Sequence, residues 1–475
     1  MRLFFASFIL IIGYTIPSLA QNRAIKFYDP SDQVRYDSLS KLVRRPYKHN
    51  GDSMISITTD SGMISLSRRT LLLQMAEIPS FQYLQHKPST NYIPFEIAIG
   101  SAQKDTIRSI SLSGDSIEKI PSKLYQFKQL QALELVNTAI DKLPWRFNWH
   151  IFGLRNLKKL HIYNYHGSAA FRFRKNDQLT YLDYSDNPYA PAPTRLERLS
   201  HLEKIKMVNN DLQPSTRIEL NKLKKLTEAN FRNNHIRIEQ LASNVQYNLS
   251  KLILTQNGIT GVPEQISHFP SLKELQLAEN NVNSDNIHPK LGTLEKLEML
   301  SFYKNELTYI PEFIFKLENL TDLDLYHNAI EVLPEEIAQL TKLERLYLAD
   351  NRIFRLPERI GELSNLQELY LKQNRISYLP ESMTQLSNIT DFHISNNYLQ
   401  AFPTLVLSYK KLKDLDISFN EIHDIPEELL SLEHLSLLWM KGITFEARNR
   451  EQALEIKNTI EGLQAKGVNV GLSLE

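Results

Sequence analysis

Cysteine is absent from the 475 residues, and with it go disulfides, thiolate metal sites, a cysteine nucleophile and lipid attachment through a lipobox cysteine. Glycine (15) and proline (21) are too sparse for a collagenous or low-complexity chain. Charge of one sign is missing too. The 55 Lys+Arg and 54 Asp+Glu leave a net charge of +1, which argues against a globally basic nucleic-acid binder or a polyacidic tail. Apolar runs are short: Leu3–Ile12 is about half the ~20 residues that a membrane-spanning helix needs, and no later stretch is long and uncharged enough. That run follows Arg2 and precedes Pro17 and the small-residue pattern Ser18-Leu19-Ala20. It reads as a secretory signal peptide over residues 1–20, or as an N-terminal anchor if uncleaved. No GxGxxG, HExxH or GxSxG motif occurs, and Gly462–Gly467 lacks the Lys-Ser/Thr ending of a phosphate loop.

What the chain does have is a repeat. Leu320, Leu323, Leu325, Asn328 and Ile330 recur as Leu343, Leu346, Leu348, Asn351 and Ile353, then as Leu366, Leu369, Leu371, Asn374 and Ile376, with an offset of 23 each time. Marked by the first apolar residue, fifteen repeats start at 107, 130, 157, 179, 202, 226, 249, 272, 297, 320, 343, 366, 389, 412 and 435. On a short strand, positions 4 and 6 point to one side and positions 3 and 5 to the other. Position 9 is Asn in eleven successive repeats, from Asn187 to Asn420. An amide offers both donor and acceptor to backbone groups freed where the chain leaves the strand, so these residues read as structural. Pairs such as Leu333-Pro334, Leu356-Pro357 and Leu379-Pro380 start a return leg with a short helical segment. No repeat can bury its apolar side alone, so neighbours must stack.

The pattern LxxLxLxxNxL, with its Leu-Pro pair and second Leu-rich half, resembles the leucine-rich repeat proteins over about three quarters of the chain. The resemblance implies an α/β fold: a leucine-rich repeat solenoid with a curved parallel β-sheet on the concave side and short helices and turns on the convex side. A small α+β N-terminal cap is expected with it. The domain reading is residues 1–20 as signal peptide, 21–106 as the cap or an accessory region, 107–444 as about fifteen repeats, and 445–475 as a C-terminal helix–strand cap. Within the N-terminal region, Asp32–Arg45 has a helical pattern and Ile55–Leu66 reads as a hairpin. Pro94–Gly100 alternates like a strand and is expected to run antiparallel to Ile107–Leu112. The longest repeat carries the aromatic stretch Trp145–Phe152, either a bulkier core or a recognition loop.

Chemistry is hard to find. His161 with His166, and Asp391 with His393, are the nearest to a metal or acid–base pair, and neither has a third partner in the sequence. No catalytic residue, metal or cofactor is expected, and an enzymatic activity, if present, would have to reside in residues 21–106. Positions 5 and 7 are more informative. They give Tyr303, Tyr326, Tyr347, Tyr370 and His393, one per consecutive repeat, with His327 alongside and Trp439 further on. Such rings suit contact with a partner, although tyrosines also pack on one another as ordinary strand residues. Charge is graded along the chain: residues 1–251 hold 35 Lys+Arg against 21 Asp+Glu, and residues 252–475 hold 20 against 33. On the expected inner face, Lys159, Lys204, Lys206, Arg232 and Lys251 precede Asp322, Asp324, Asp391, Asp414 and Asp416. That grading suits a charged partner or a second copy bound head-to-tail.

Leucine-rich repeats mostly mediate protein interactions, so the resemblance implies an exported, non-enzymatic recognition protein whose concave face binds a protein partner. The partner-binding candidates are Tyr303, Tyr326, His327, Tyr347, Tyr370, His393, Trp439, Asp322, Asp324 and Asp416. The alternative is glycan or cell-wall binding through the same tyrosines; nucleic acid is not expected. The lack of disulfide-forming cysteines separates the chain from most animal and plant extracellular relatives and points to a bacterial periplasmic or secreted protein. The sequons at Asn248, Asn319 and Asn388 would then be unglycosylated coincidences.

Overall fold

The computed structural model describes residues 54–59, 62–67, 91–114, 117–140, 154–167, 169–445 and 450–472. The expected signal peptide, the helix at 32–45 and the aromatic stretch at 145–152 lie outside these residues. The chain divides into two compact units, Met1–Leu212 and Gln213–Glu475.

In the first unit, β1 (Met54–Thr59) and β2 (Gly62–Ser67) form the expected antiparallel hairpin, with Thr59 opposite Gly62. A parallel sheet then runs in chain order through β3 (Ile93–Pro94), β4 (Ser109–Ser113), β5 (Ala132–Val136), β6 (Lys159–Tyr163), β7 (Tyr181–Ser185) and β8 (Lys204–Lys206). The hairpin expected at Pro94–Leu112 is not formed. Pro94 pairs in parallel with Ser111, and Phe95–Gly100 is a helix, α1. Phe95 and Ala98, three apart, are buried while Ile97 is exposed; the same residues that alternate like a strand also satisfy one face of a helical turn.

The second unit contains β9 (Glu228–Asn230), β10 (Lys251–Ile253), β11 (Glu274–Gln276), β12 (Met299–Ser301), β13 (Asp322–Asp324) and β14 (Arg345–Tyr347). It continues with β15 (Glu368–Tyr370), β16 (Asp391–His393), β17 (Asp414–Asp416), β18 (Leu437–Trp439) and β19 (Asn469–Gly471). All pair in parallel and in chain order. Each strand from β4 to β18 begins two residues after a repeat mark. Position 4 of one repeat lies beside position 4 of the next, as in Leu323, Leu346 and Leu369. These leucines and their partners at positions 1 and 6 are buried, each burial worth roughly 1.5–3 kcal/mol.

Strands are short because the backbone turns sharply at position 8. There Gln256, Glu279, Lys304, His327, Asp350, Gln373, Asn396 and Phe419 all have positive φ, between 52° and 59°, which costs an L-residue about 1–2 kcal/mol. The asparagine that follows offsets it. Asn351 Nδ2 donates to the Leu325 carbonyl at 2.9 Å and the Leu348 carbonyl at 3.0 Å, and its Oδ1 accepts from the Ile330 N–H at 3.0 Å. Asn328, Asn374, Asn397 and Asn420 repeat this arrangement. A second asparagine row lies at the end of the return leg: Asn319, Asn365 and Asn388 donate to the carbonyls of Glu295, Thr341 and Ser364 in the preceding repeat, at 2.7 to 2.8 Å. Two of its members are sequon residues.

The return legs are 3₁₀ helices, among them Glu335–Gln339, Glu358–Glu362 and Glu381–Gln385, each opened by a proline. A 3₁₀ helix rises about 2.0 Å per residue against 1.5 Å for an α-helix, so a few residues cover the return. At the C-terminal end α2 (Arg450–Ala465) and β19 match the expected helix and last strand, and β19 covers the edge of β18.

Candidate partner-binding face

With position 4 turned to the core, positions 3 and 5 of β12 to β18 form the outward side of the second unit's sheet. The expected single row of rings is two ranks. Tyr303 and Tyr326, each two residues past its strand, stack edge-on at 5.3 Å between centroids, and His327 lies 6.3 Å from Tyr326. Tyr347, Tyr370 and His393 lie within β14, β15 and β16, with centroids 5.1 Å and 4.5 Å apart. Position 5 in Tyr347 is beside Asp324, not beside Tyr326, which is why the ranks separate. All these rings are half-buried or exposed, with Tyr326 38% exposed. Trp439 sits on β18 between Asp416 and Gly471. A side chain at Gly471 would strike its ring, and Lys441 Nζ lies 5.3 Å from the ring centroid.

The carboxylates around the rings differ in what they are free to do. Asp322 is buried and gripped by Arg345 through both Nε and Nη2, the latter at 2.8 Å, with Thr321 donating as well. It is committed to the fold. Asp324 accepts from Ser301 Oγ at 2.8 Å and from the Tyr326 N–H at 3.2 Å; burial nevertheless pushes its carboxyl above the ordinary range. His327 Nδ1 meets Asp350, and His393 Nε2 lies 3.3 Å from Asp414 Oδ2. Tyr347 donates to Glu368 at 2.6 Å, so burial and that bond raise its phenol. Burial, then Asp391, Glu368 and Asp414, push the Tyr370 phenol up to about 12.

The first unit holds a network that spacing alone does not reveal. His161 Nδ1 is 3.0 Å from the Tyr163 hydroxyl, which donates to the buried Asp183 at 2.9 Å. Lys206 Nζ reaches the same carboxylate at 3.2 Å, and Ser185 donates to its other oxygen. Tyr92 lies edge-on to His161 at 5.6 Å, its phenol pushed up to about 12 by burial, Glu134 and Asp183. Of the pair His161 and His166, the first turns to Tyr163 and Asp183, and the second donates its backbone N–H to the Thr138 carbonyl at 2.9 Å. The signal missed was the column of position 5, which places Glu134, His161, Asp183 and Lys206 side by side. Among the described residues no group of three or more His, Asp or Glu side chains is placed to hold a metal ion.

A sequence profile of the leucine-rich repeat region matches residues 105–308 and 252–369, and a further leucine-rich repeat profile matches 346–399. No curated protein sequence matches the chain. Among solved structures, a leucine-rich repeat protein of Leptospira interrogans is 24% identical with a TM-score of 0.60, covering 80% of this chain and 100% of its own. The Toll–Spätzle complex of Drosophila is 19% identical with a TM-score of 0.60, over 74% of this chain and 49% of that one. The TLR13–ssRNA13 complex is 21% identical with a TM-score of 0.60, over 81% and 56%. At these identities the likeness is one of fold.

Proposed function

Because the chain belongs to the leucine-rich repeat family, we propose that it is an exported, non-enzymatic recognition protein and that the outward sheet face of its second unit binds a protein partner. The observation that carries this reading is the pair of aromatic ranks, Tyr303–Tyr326 and Tyr347–Tyr370–His393, left half-exposed on a scaffold whose asparagines and leucines already satisfy the fold. Rigid rings give contact area at small entropic cost. The fold is that of a protein-interaction scaffold, as in Toll bound to Spätzle. One structure of similar fold holds single-stranded RNA, but Glu368, Asp391, Asp414 and Asp416 would repel phosphates on this face. Export rests on the pattern of residues 1–20; no helix among the described residues is long and apolar enough to cross a membrane.

A photo-crosslinking residue placed at Tyr370 or Tyr326 tests the reading, with Tyr378, exposed outside the sheet face, as the control. Protein adducts are expected at the first two positions and not at the third. A glycan is the second reading, favoured by the Tyr347–Tyr370 ledge; glycan-array binding lost in Tyr347→Ala and Tyr370→Ala, without protein adducts, would replace the first. Head-to-tail self-association predicts adducts between two copies of the chain.

A further inference from the structure

The face that holds the rings also holds carboxylates fixed at one oxygen and open at the other. Glu368 Oε2 accepts from Tyr347 at 2.6 Å, Asp391 Oδ2 from the Thr390 hydroxyl at 2.6 Å, and Asp416 Oδ1 from the Ser418 N–H at 3.1 Å. Among the described residues no hydrogen bond reaches Glu368 Oε1, Asp391 Oδ1 or Asp416 Oδ2. One bond sets the direction of each carboxylate, so the second oxygen is an acceptor whose orientation needs no further ordering.

These acids stand in lateral register. Glu368 is beside Asp391 and Asp391 beside Asp414, while Tyr370 is beside His393 and His393 beside Asp416. Neighbouring strands are about 4.8 Å apart, and like charges directly opposite one another are destabilising. One of them, Asp414, has His393 Nε2 at 3.3 Å from its Oδ2. Among the described residues of these strands the one Lys or Arg, Arg345, is held by Asp322, and Lys372 lies past the end of β15. The raised Tyr370 phenol reports the same negative surroundings, after burial. A row of rings beside a row of uncompensated carboxylates fits one kind of visitor: a flat or compact cation that stacks on a ring and donates to an acid.

We propose that the segment bound across β14 to β17 is basic, its arginine or lysine side chains stacking on Tyr347, Tyr370 and His393 and donating to Glu368, Asp391 and Asp416. This rests on the face reading above and names the chemistry of the partner. The four strands from β14 to β17 span about 14 Å, a distance that about four extended residues cross.

The probe is a synthetic peptide alternating arginine and serine, with a twin in which citrulline replaces arginine, keeping shape and losing charge. Titration calorimetry with the full chain should give the arginine peptide at least about tenfold higher affinity than its twin. Glu368→Gln/Asp391→Asn/Asp416→Asn should abolish that preference. A control with the same charge change on the 3₁₀ helices, Glu336→Gln/Glu358→Gln/Glu381→Gln, should keep it, thermal melting confirming that both variants fold. Equal affinity for the two peptides, or equal loss in the control, overturns the inference as mere charge attraction. If adducts form at Tyr370 and the neutralised face variant still captures that partner undiminished, the face reading stands and the basic partner is overturned.

Discussion

Asn351 answers four backbone groups with one amide, three carbonyls and an N–H, in two adjacent repeats. Truncation leaves them buried without partners, so Asn351→Ala is expected to lower stability by about 2 kcal/mol or more in urea unfolding; an unchanged midpoint would refute the spine. Asp324 gives a pH test. Burial holds its carboxyl above the ordinary value against the bonds from Ser301 and the Tyr326 N–H. A raised folded pKa means a contribution fully present below the unfolded value and lost as pH rises through the folded one. Asp324→Asn keeps an acceptor for both donors, so its stability relative to the parent should improve as pH rises above about 4; a pH-independent difference would contradict the assignment. The role of the asparagines was legible because an amide supplies both a donor and an acceptor where the chain leaves the strand. The left-handed turn at position 8 was not, since Lys304, His327 and Phe419 share no local preference and the bend is imposed by neighbouring repeats. Nor was the Asp183 network, whose partners Tyr163 and Lys206 arrive from other strands.

At the scale of elements, the fifteen strand positions could be read from leucine spacing because each repeat buries the same positions. α1 could not, as Phe95–Gly100 suits either period and packing decides. The ranks of rings were legible in composition and not in arrangement: Tyr303 and Tyr326 occupy position 7 and Tyr347, Tyr370 and His393 position 5, so register, not sequence order, sets which rings touch. The last strand has a separate task. β19 pairs with β18, and without it β18 presents an unpaired edge. A chain ending at residue 444 should therefore self-associate in sedimentation velocity under conditions where the full chain does not; identical profiles would show that the edge is harmless.

For the whole molecule, part of the charge graded along the sequence is met by pairing between strands: Lys206 is paired with Asp183 and Lys251 with Glu274 at 2.8 Å. The family was legible because the repeating core dictates it. The partner was not, because outward positions 3, 5 and 7 are left open by the fold and are chosen by whatever they meet. The claim that joins these scales is that the outward sheet face of the second unit is the binding surface. Its most direct test is the affinity of the partner identified by crosslinking for Tyr347→Ala/Tyr370→Ala, beside Phe354→Ala/Tyr378→Ala, two rings 53% and 58% exposed outside that face. The first pair should weaken binding at least about tenfold and the second should leave it unchanged; equal affinity for both variants and the parent would contradict the account.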